Sequence, residues 1–297
     1  MGGSRLQAFL LLALANLLWS GNWVAGRALR DEFDPLSMNF WRWLIASALL
    51  APFALRGLRG KGALIRRHAG ILLLLALSGV AAFHSLVYLG LRTTTTVNAV
   101  LLNSTIPLFM LLCSWIIERE RATRRQVAGM LLSLAGILVI LSRGEPASLL
   151  RLELHAGDFW ILLAMPIWGI YSVLLKRRPA ELGGLAFLFV ISCAGVLMLA
   201  PAAAALALQA APRWPGGAAA LGVLYMALGA SVLAYICWNR GVAAVGANAA
   251  GFTVHLLPAF GTLLAILFLG EAFAGFHAAG IAVILAGVLL ATRPTSS

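Results

Sequence analysis

The sequence has few charged residues. Asp, Glu, Lys and Arg make up 11% of its 297 residues, whereas hydrophobic residues make up 62% and the mean hydropathy is +0.95. Soluble domains use about 45–50% apolar and roughly 25% charged residues. This composition excludes an ordinary soluble domain and indicates an integral membrane protein.

Cysteine is also scarce, and the motifs that bind nucleotides or metals are missing. The three cysteines, Cys113, Cys193 and Cys237, lie far apart in apolar segments and show no metal or redox spacing. We therefore interpret them as small packing residues. The sequence contains no Walker-type loop, which excludes ATP hydrolysis by this chain. We expect neither a cofactor nor a metal.

What the sequence does contain is a series of long apolar runs. A helix that rises 1.5 Å per residue needs about 20 apolar residues to cross the hydrocarbon core of a bilayer. Ten such runs are present, of which the fifth and tenth are short, and they predict an all-α integral membrane protein with ten transmembrane helices. The runs are Leu6–Leu29, Leu36–Leu55, Ala69–Leu91, Val97–Ile117, Val127–Leu141, Phe159–Leu175, Leu185–Leu208, Ala218–Trp238, Ala247–Leu269 and His277–Ala291.

The basic residues predict the orientation of these runs. If the chain starts in the cytoplasm, fifteen of the 22 Lys and Arg residues fall on the inner side, six fall on the outer side, and Arg42 lies within a run. Cytoplasmic loops carry an excess of Lys and Arg. We therefore predict a multi-pass protein of the bacterial inner (plasma) membrane with both termini in the cytoplasm. The net charge of +12 belongs to this topology and does not indicate nucleic acid as a partner.

The chain also repeats itself at an interval of 151 residues. At this offset the rarer residues coincide in one register, as Pro107 with Pro258, Glu120 with Glu271, Gly129 with Gly280, and Gly136 with Gly287. The coincidence predicts two halves of five helices each, residues 1–148 and 149–297. Because five is odd, the second half enters the membrane in the opposite direction. Such an inverted repeat around a central cavity is typical of transporters, whereas a duplicated scaffold would have no pathway.

The repeated motif resembles that of a known transporter family. A Pro is followed after twelve residues by Glu, then by Gly and an Ala-Gly pair, as in Pro107, Glu120, Gly129, Ala135 and Gly136. This pattern is similar to the EamA repeat of the drug/metabolite transporter superfamily, and the Trp-Ser-Gly-Asn turn at residues 19–22 is similar to the opening of that repeat. The resemblance covers nearly the whole chain. It implies ten helices, cytoplasmic termini and export of small metabolites. The Trp, Tyr, His and Asn residues in the runs most resemble those of bacterial aromatic amino acid exporters.

Polar and aromatic side chains occur inside several runs, where a lipid-facing surface would not tolerate them. In the first run they recur at helical steps of three and four, as Trp19, Asn22, Trp23, Gly26, Arg27 and Arg30. The corresponding stripe in the sixth run holds Trp168, Tyr171 and Ser172. We expect these two aromatic faces to oppose each other.

Two further pairs of runs add candidates. His84 and Tyr88 share a face of the third run, and Trp238 accompanies their counterparts Tyr235 and Asn239 in the eighth. Pro107 and Pro258 free the carbonyls of Asn103 and Val254. The predicted substrate-binding residues are Trp19, Asn22, Trp23, His84, Tyr88, Asn103, Trp168, Tyr171, Trp238, Phe252 and His255.

Each candidate also has a purely structural interpretation. The Trp residues could pack the bundle, a lone His could be a hydrogen-bonding residue, and the prolines could only bend their helices. An interfacial belt suits Trp41, Trp43, Trp115 and Trp160 better. The repeated glycines predict close helix packing. Glu120 and Glu271 favour capping or loop anchoring, and a gating role is the alternative. Arg42 could attract a substrate carboxylate together with Arg27, but we expect it to pair with Asp31, Glu32 or Asp34.

These residues favour an exporter of small amphiphilic metabolites, such as aromatic or hydrophobic amino acids, that works by alternating access and runs down the substrate gradient. No carboxylate lies near the centre of a run to relay protons, so His84 or His255 would have to carry them. The alternatives are an exporter of organic cations or drugs, and a membrane-embedded enzyme that acts on lipid intermediates. The expected partners are the small-molecule substrate and the lipid bilayer, and we expect a monomer or a weak oligomer.

Overall fold

The computed structural model describes residues 2–29, 31–209, 216–269 and 272–293, so Arg30 and Glu271 lie outside it. The described part is helical without strands, and ten of its helical segments are long and apolar enough to cross a membrane. This confirms the predicted fold class, including the two short runs. Spans 1 to 10 are Ser4–Ala28, Pro35–Leu58, Ala69–Leu91, Val97–Glu118, Arg124–Leu141, Ala156–Arg177, Gly184–Gln209, Ala219–Val245, Ala247–Leu264 and Gly275–Thr292.

Six of the spans rest on single α-helices, and several of these begin at side-chain caps. Asp34 accepts a hydrogen bond from the backbone N–H of Leu36 ahead of span 2, and Thr123 forms a capping box with Gln126 at the start of span 5. The six helices are Gly2–Ala28, Pro35–Leu58, Arg124–Leu141, Ala156–Leu174, Gly184–Gln209 and Gly275–Thr292. The connections add the short α-helix Gly62–Arg67 and the 3₁₀ turns Pro146–Arg151, Leu175–Arg177 and Ala180–Leu182.

Spans 3 and 8 each contain a π-helical segment at an equivalent place in the two halves. The segments are Leu77–Ala82 and Met226–Leu233, and α-helices Ala69–Ala76, Phe83–Leu91, Gly217–Tyr225 and Ala234–Val245 flank them. The wider π-turn interrupts the regular α-helical ladder. Side chains reach its carbonyls, because Asn39 donates to Val80 at 3.0 Å and Tyr235 donates to Gly79. The sequence did not predict these segments.

Spans 4 and 9 are broken near their prolines. Span 4 consists of Thr96–Asn103 and Ile106–Glu118, and span 9 consists of Ala247–Phe252, the 3₁₀ turn Thr253–His255 and Leu256–Leu269. In the described part of the chain, side-chain donors reach carbonyls close to those of Asn103 and Val254, whose release by the prolines stays a prediction. His255 Nε2 lies 2.9 Å from the Ser104 carbonyl, and Ser20 Oγ donates to the Leu257 carbonyl at 3.0 Å. The breaks place these neighbouring carbonyls within reach of the polar faces of spans 1 and 9.

Span 1 shows how the chain distributes polarity. Its outward face exposes Leu6, Leu10 and Leu14, whereas Asn16 and Ser20 are completely or almost completely buried. Asn16 Nδ2 donates to the Thr253 hydroxyl at 3.1 Å, which ties span 1 to span 9. Polar groups need internal partners in hydrocarbon, and apolar side chains suit the acyl chains. Of the stripe that the sequence assigned to the interior, Trp19, Asn22 and Gly26 are buried and Trp23 and Arg27 are half-buried, whereas Arg30 lies outside the described residues.

Spans 5 and 10 pack backbone to backbone through their repeated glycines. A Cβ at Gly129 would meet the Gly287 carbonyl at 2.6 Å, and one at Gly136 would meet the Gly280 carbonyl at 2.7 Å. Since the partner's number falls as the number in span 5 rises, the two helices run antiparallel. The close packing that the glycines predicted is confirmed. Contacts between the halves are also reciprocal, because span 1 packs on span 8 as span 6 packs on span 3.

The contact between spans 5 and 10 predicts the effect of adding a single methyl group to one of its glycines. Gly136→Ala should lower the thermal unfolding temperature of the detergent-solubilised protein, because overpacking costs about 1–3 kcal/mol and backbone atoms cannot rotate away. The matched control is Gly261→Ala in span 9, where an added Cβ meets nothing within 4 Å. The control should unfold at or above the wild-type temperature, because Ala favours the helix. Equal unfolding temperatures for the two variants would contradict the packing argument.

Candidate functional site

Five aromatic side chains from spans 1, 6 and 8 meet at the centre of the molecule. We call them the aromatic cluster: Trp19, Trp168, Tyr171, Tyr235 and Trp238. The Trp19 ring centroid lies 5.0 Å from that of Trp168 in an edge-to-face arrangement and 5.3 Å from that of Trp238. The expected opposition of the stripes of spans 1 and 6 is therefore observed. Such pairs contribute about 0.5–1.5 kcal/mol beyond their burial.

The polar ends of these rings are held by groups on neighbouring spans. Trp19 Nε1 donates to the Ala230 carbonyl in the π-segment of span 8 at 3.0 Å. Trp238 Nε1 donates to Ser172 Oγ at 3.3 Å. These two bonds fix the orientations of the Trp19 and Trp238 rings, and the first of them joins the two halves.

A small cavity lies beside the aromatic cluster. It leaves about 20 Å³ for the centres of water molecules, which is room for about one water. A molecule the size of an amino acid does not fit among these rings as they are packed here. The cavity wall includes six of the predicted residues together with four apolar side chains: Trp19, Asn22, Trp23, His84, Asn103 and Trp168, then Phe83, Ile106, Val254 and Leu257.

Two polar atoms in the residues of this wall have no hydrogen-bond partner within the described part of the chain. They are His84 Nδ1 and Asn103 Nδ2, and both side chains are at least 97% buried. Buried polar groups are nearly always paired, since an unmade hydrogen bond at low dielectric is costly. The atoms therefore mark positions that a water molecule or a ligand would satisfy.

The other five predicted residues do not line this cavity. Tyr171 and Trp238 lie in the aromatic cluster directly behind Trp168, at ring distances of 5.2 and 5.6 Å. Phe252 packs against Leu111 and Ala291, away from the cluster.

His255 and Tyr88 bind protein groups instead. His255 Nδ1 contacts Ser133 Oγ, and His255 Nε2 contacts the Ser104 carbonyl, so both ring nitrogens are engaged. Tyr88 donates its hydroxyl hydrogen to Asn22, which places it one residue outside the cavity wall.

Two tyrosine–asparagine hydrogen bonds flank the aromatic cluster. Tyr88 donates to Asn22 Oδ1 at 3.1 Å between spans 3 and 1, and Tyr171 donates to Asn239 Oδ1 at 2.9 Å between spans 6 and 8. Tyr88 and Asn239 occupy matching positions of the repeat, as do Asn22 and Tyr171. The two halves thus make the same bond with the two residue types exchanged.

Two larger clefts open at the end of the bundle where span 2 ends and span 7 begins. They have volumes of about 440 and 420 Å³, and Asn239 and Arg178 line both. Asn239 belongs to the Tyr171–Asn239 bond, so both clefts reach this bond. Glu118 lies in one cleft and pairs with Lys176 at 2.5 Å and Arg177 at 3.0 Å.

Arg42 is completely buried and has only neutral partners. Its Nε donates to Ser231 Oγ at 2.5 Å, NH1 donates to the Tyr88 hydroxyl at 2.6 Å, and NH2 donates to the Ala230 carbonyl at 3.3 Å. Within the described part of the chain, no carboxylate lies within ion-pair distance. A buried charge without a counterion costs several kcal/mol.

The expected pairing of Arg42 with Asp31, Glu32 or Asp34 is therefore wrong. Asp34 instead caps span 2 and lies 3.7 Å from Arg92 at the same end of the bundle. Arg42 lies about 10 Å further along the helix axis, beyond the reach of that loop, and turns toward the centre.

The sequence missed several residues of the centre. Tyr235 contacts Trp19, Trp168 and Tyr171. The sequence feature that could have identified it is its position, which corresponds to that of His84 in the repeat. Trp43 was assigned to an interfacial belt but is wholly buried with its ring 4.9 Å from that of Tyr235, so that assignment is wrong.

The remaining belt and loop assignments concern residues outside the centre. Trp115 and Trp160 are 48% and 39% exposed, as a belt requires. Glu120 accepts hydrogen bonds from Ser114 at 3.0 Å and Asn248 at 3.1 Å, which is the expected loop anchor. The described residues contain no group of three His, Cys, Asp or Glu side chains that could hold a metal.

The chain resembles known transporters over nearly its whole length. It is 31% identical over 294 residues to an uncharacterized transporter of Archaeoglobus fulgidus, covering 96% of this chain and 97% of that protein. It is 26% identical to a probable terminal-alkyne amino-acid exporter of Streptantibioticus cattleyicolor, covering 97% of this chain and 94% of that protein. It is equally identical to the aromatic amino acid exporter YddG of Ancylobacter novellus, over 97% of this chain and 98% of that protein.

A solved crystal structure shares the fold, with a TM-score of 0.75, 24% sequence identity and coverage of 96% of this chain and 97% of that chain. The family model matches twice, over residues 6–142 and 155–293. The chain is a multi-pass membrane transporter and not an enzyme. It belongs to the EamA-like transporter family.

Proposed function

We propose that the protein exports aromatic or other hydrophobic amino acids from the cytoplasm. The observation that carries this proposal is the composition of the central cavity. Its wall combines the rings of Trp19, Trp23, Phe83 and Trp168 with the polar groups of Asn22, His84 and Asn103. Aromatic faces stack on an apolar side chain, and amide and imidazole groups bind an amino or carboxylate group. The relatives named as amino acid exporters support this substrate class.

The rival substrate is an organic cation, which aromatic faces also attract. Such a site usually holds a carboxylate, but the described cavity wall contains none. The buried guanidinium of Arg42 also lies one residue away from the wall, through Tyr88. Its positive charge would repel a cation, so the electrostatics favour a substrate with a negative group.

Transport proceeds by alternating access between two inverted halves. The antiparallel pairing of spans 5 and 10 and the reciprocal contacts between the halves support this inversion. The Tyr88–Asn22 bond then closes the outer side of the cavity, and the Tyr171–Asn239 bond closes the inner side. The two large clefts reach the inner bond at Asn239, so this conformation is open from the cytoplasm as far as that bond.

The protein is a facilitator that runs down the substrate gradient, as a monomer or weak oligomer. Neither hydrogen-bonded pair around the cavity contains a carboxylate, and both ring nitrogens of His255 are engaged with protein groups. No proton relay of the kind built from Asp or Glu chains is therefore formed by these residues.

The substrate site is tested by transport into and out of proteoliposomes. Labelled phenylalanine and tryptophan should cross, whereas threonine and a quaternary ammonium should cross poorly. Trp168→Ala and His84→Ala should each lower kcat/KM for phenylalanine by about tenfold or more, because each removes a cavity contact worth about 1.4 kcal/mol or more.

The matched controls for these variants lie outside the centre. Trp160→Ala removes a half-exposed ring of the same span, and His68→Ala removes a histidine whose Nδ1 lies 3.0 Å from the Leu64 carbonyl near the bundle surface. Both controls should retain wild-type flux. If the cavity variants and their controls transport equally well, the site is misplaced.

The energy source is tested in the same vesicles by imposing or omitting a pH gradient. A facilitator equilibrates phenylalanine at the same initial rate in both conditions and never accumulates it. Uphill accumulation that requires a pH gradient and disappears with an ionophore would show proton coupling and overturn this part of the proposal.

The orientation predicts that both termini lie in the cytoplasm of a bacterial inner membrane. Fusion of a fluorescent reporter that matures only in the cytoplasm should give signal at either terminus, whereas fusion of a periplasmic phosphatase should be inactive at both. A fusion to the loop between spans 1 and 2 should behave oppositely, because that loop is predicted to be outside. Phosphatase activity at one terminus would contradict the even number of spans.

A further inference from the structure

Arg42 is more than a structural residue of the bundle centre. Its side chain is completely buried and is enclosed by Trp43, Tyr88 and the π-segment of span 8. Arginines within membrane spans pair with other charged groups or with backbone carbonyls, and they mark substrate or ion pathways. The described residues supply no anion, so the positive charge is uncompensated in this conformation.

The hydrogen bonds of the guanidinium leave room for an anion. Each of its three nitrogens donates one bond, to Ser231, Tyr88 and Ala230. These bonds use three of the five N–H groups. Within the described residues the remaining two, one on each terminal nitrogen, have no acceptor. A carboxylate accepts two N–H bonds from such a group and supplies the missing negative charge.

Arg42 is connected to the cavity by one side chain. NH1 donates to the Tyr88 hydroxyl, which donates to Asn22 in the cavity wall. His84, one helical turn before Tyr88, lies in the same wall with its Nδ1 unpartnered. When the Tyr88–Asn22 bond opens, the guanidinium becomes the first charged group that a molecule in the cavity meets.

We propose that Arg42 binds the carboxylate of the transported substrate through its two unused N–H groups, once Tyr88 moves aside as the outer side opens. The inference rests on the proposed function and specifies it: the substrate must carry a carboxylate, and an aromatic amine without one is excluded. Because Tyr88 also donates to Asn22 in the outer closure, its movement away from Arg42 couples substrate binding to release of that closure.

The wild-type protein tests this proposal without any mutation. Three analogues compete with labelled phenylalanine: 3-phenylpropionate lacks the amino group, phenethylamine lacks the carboxylate, and phenylalanine amide has a neutral group in its place. A charge-assisted pair makes 3-phenylpropionate the better competitor by about tenfold or more. If phenethylamine competes as well as phenylalanine while 3-phenylpropionate does not, the proposal is overturned.

Variants of Arg42 then test whether its positive charge causes the preference for a carboxylate. Arg42→Gln should raise the KM for phenylalanine by about tenfold or more and abolish the preference for 3-phenylpropionate over phenethylamine. Arg42→Lys keeps a point charge and should retain part of that preference. The control is Arg92→Gln, which removes an exposed arginine that pairs with Asp34 at the end of span 3. Wild-type preference in Arg42→Gln would overturn the proposal and leave Arg42 as a structural residue.

A binding measurement separates the failure of this inference from failure of the proposed function. 3-Phenylpropionate should raise the unfolding temperature of the wild-type protein but not of Arg42→Gln. If phenylalanine is not transported but this shift is present, the carboxylate site stands and the amino acid exporter is wrong. If phenylalanine is transported and the shift is absent from the wild type, or is the same in both proteins, the exporter stands and the Arg42 site is wrong.

Discussion

Polar groups within the ten spans depend on partners inside the bundle, because acyl chains offer none. This constraint explains why Asn16, Ser20 and Asn22 of span 1 are buried while leucines cover its outward side. It also explains why glycines rather than large apolar residues join spans 5 and 10. Two helices in lipid gain no hydrophobic free energy when they associate, because their surfaces are already out of water. Close backbone packing therefore has to hold them together.

The π-helical segments show how the chain creates polar partners without charged residues. Where an α-helix would hide its carbonyls, the segments of spans 3 and 8 expose them to side chains of other spans. The Ala230 carbonyl receives both Trp19 and Arg42, and the Val80 and Ala81 carbonyls receive Asn39. The backbone thus holds the aromatic cluster and Arg42 in place together. A structural change in either π-turn would therefore displace both.

Much of this arrangement was accessible from the sequence, for a simple physical reason. A Trp, His or Asn in the middle of an apolar run cannot face lipid, so Trp19, Trp168 and His84 had to point inward. Local spacing says nothing about which distant groups they meet, and this is why the partners of Arg42 and the burial of Trp43 were not foreseen. In the sequence, Phe83 cannot be distinguished from a lipid-facing phenylalanine, although the fold turns it inward. The π-turns contain no proline and left no recognisable pattern.

The exchange of tyrosine and asparagine between the halves has a consequence for how the two repeats diverged. Asn22 corresponds to Tyr171, and Tyr88 corresponds to Asn239, so a residue-by-residue comparison scores two differences. In space each half keeps one phenol hydroxyl and one amide oxygen joined across the same pair of helices. A contact can therefore be preserved while its two residues change places. The relationship between the two repeats is then visible in the paired functional groups even where the aligned residues differ.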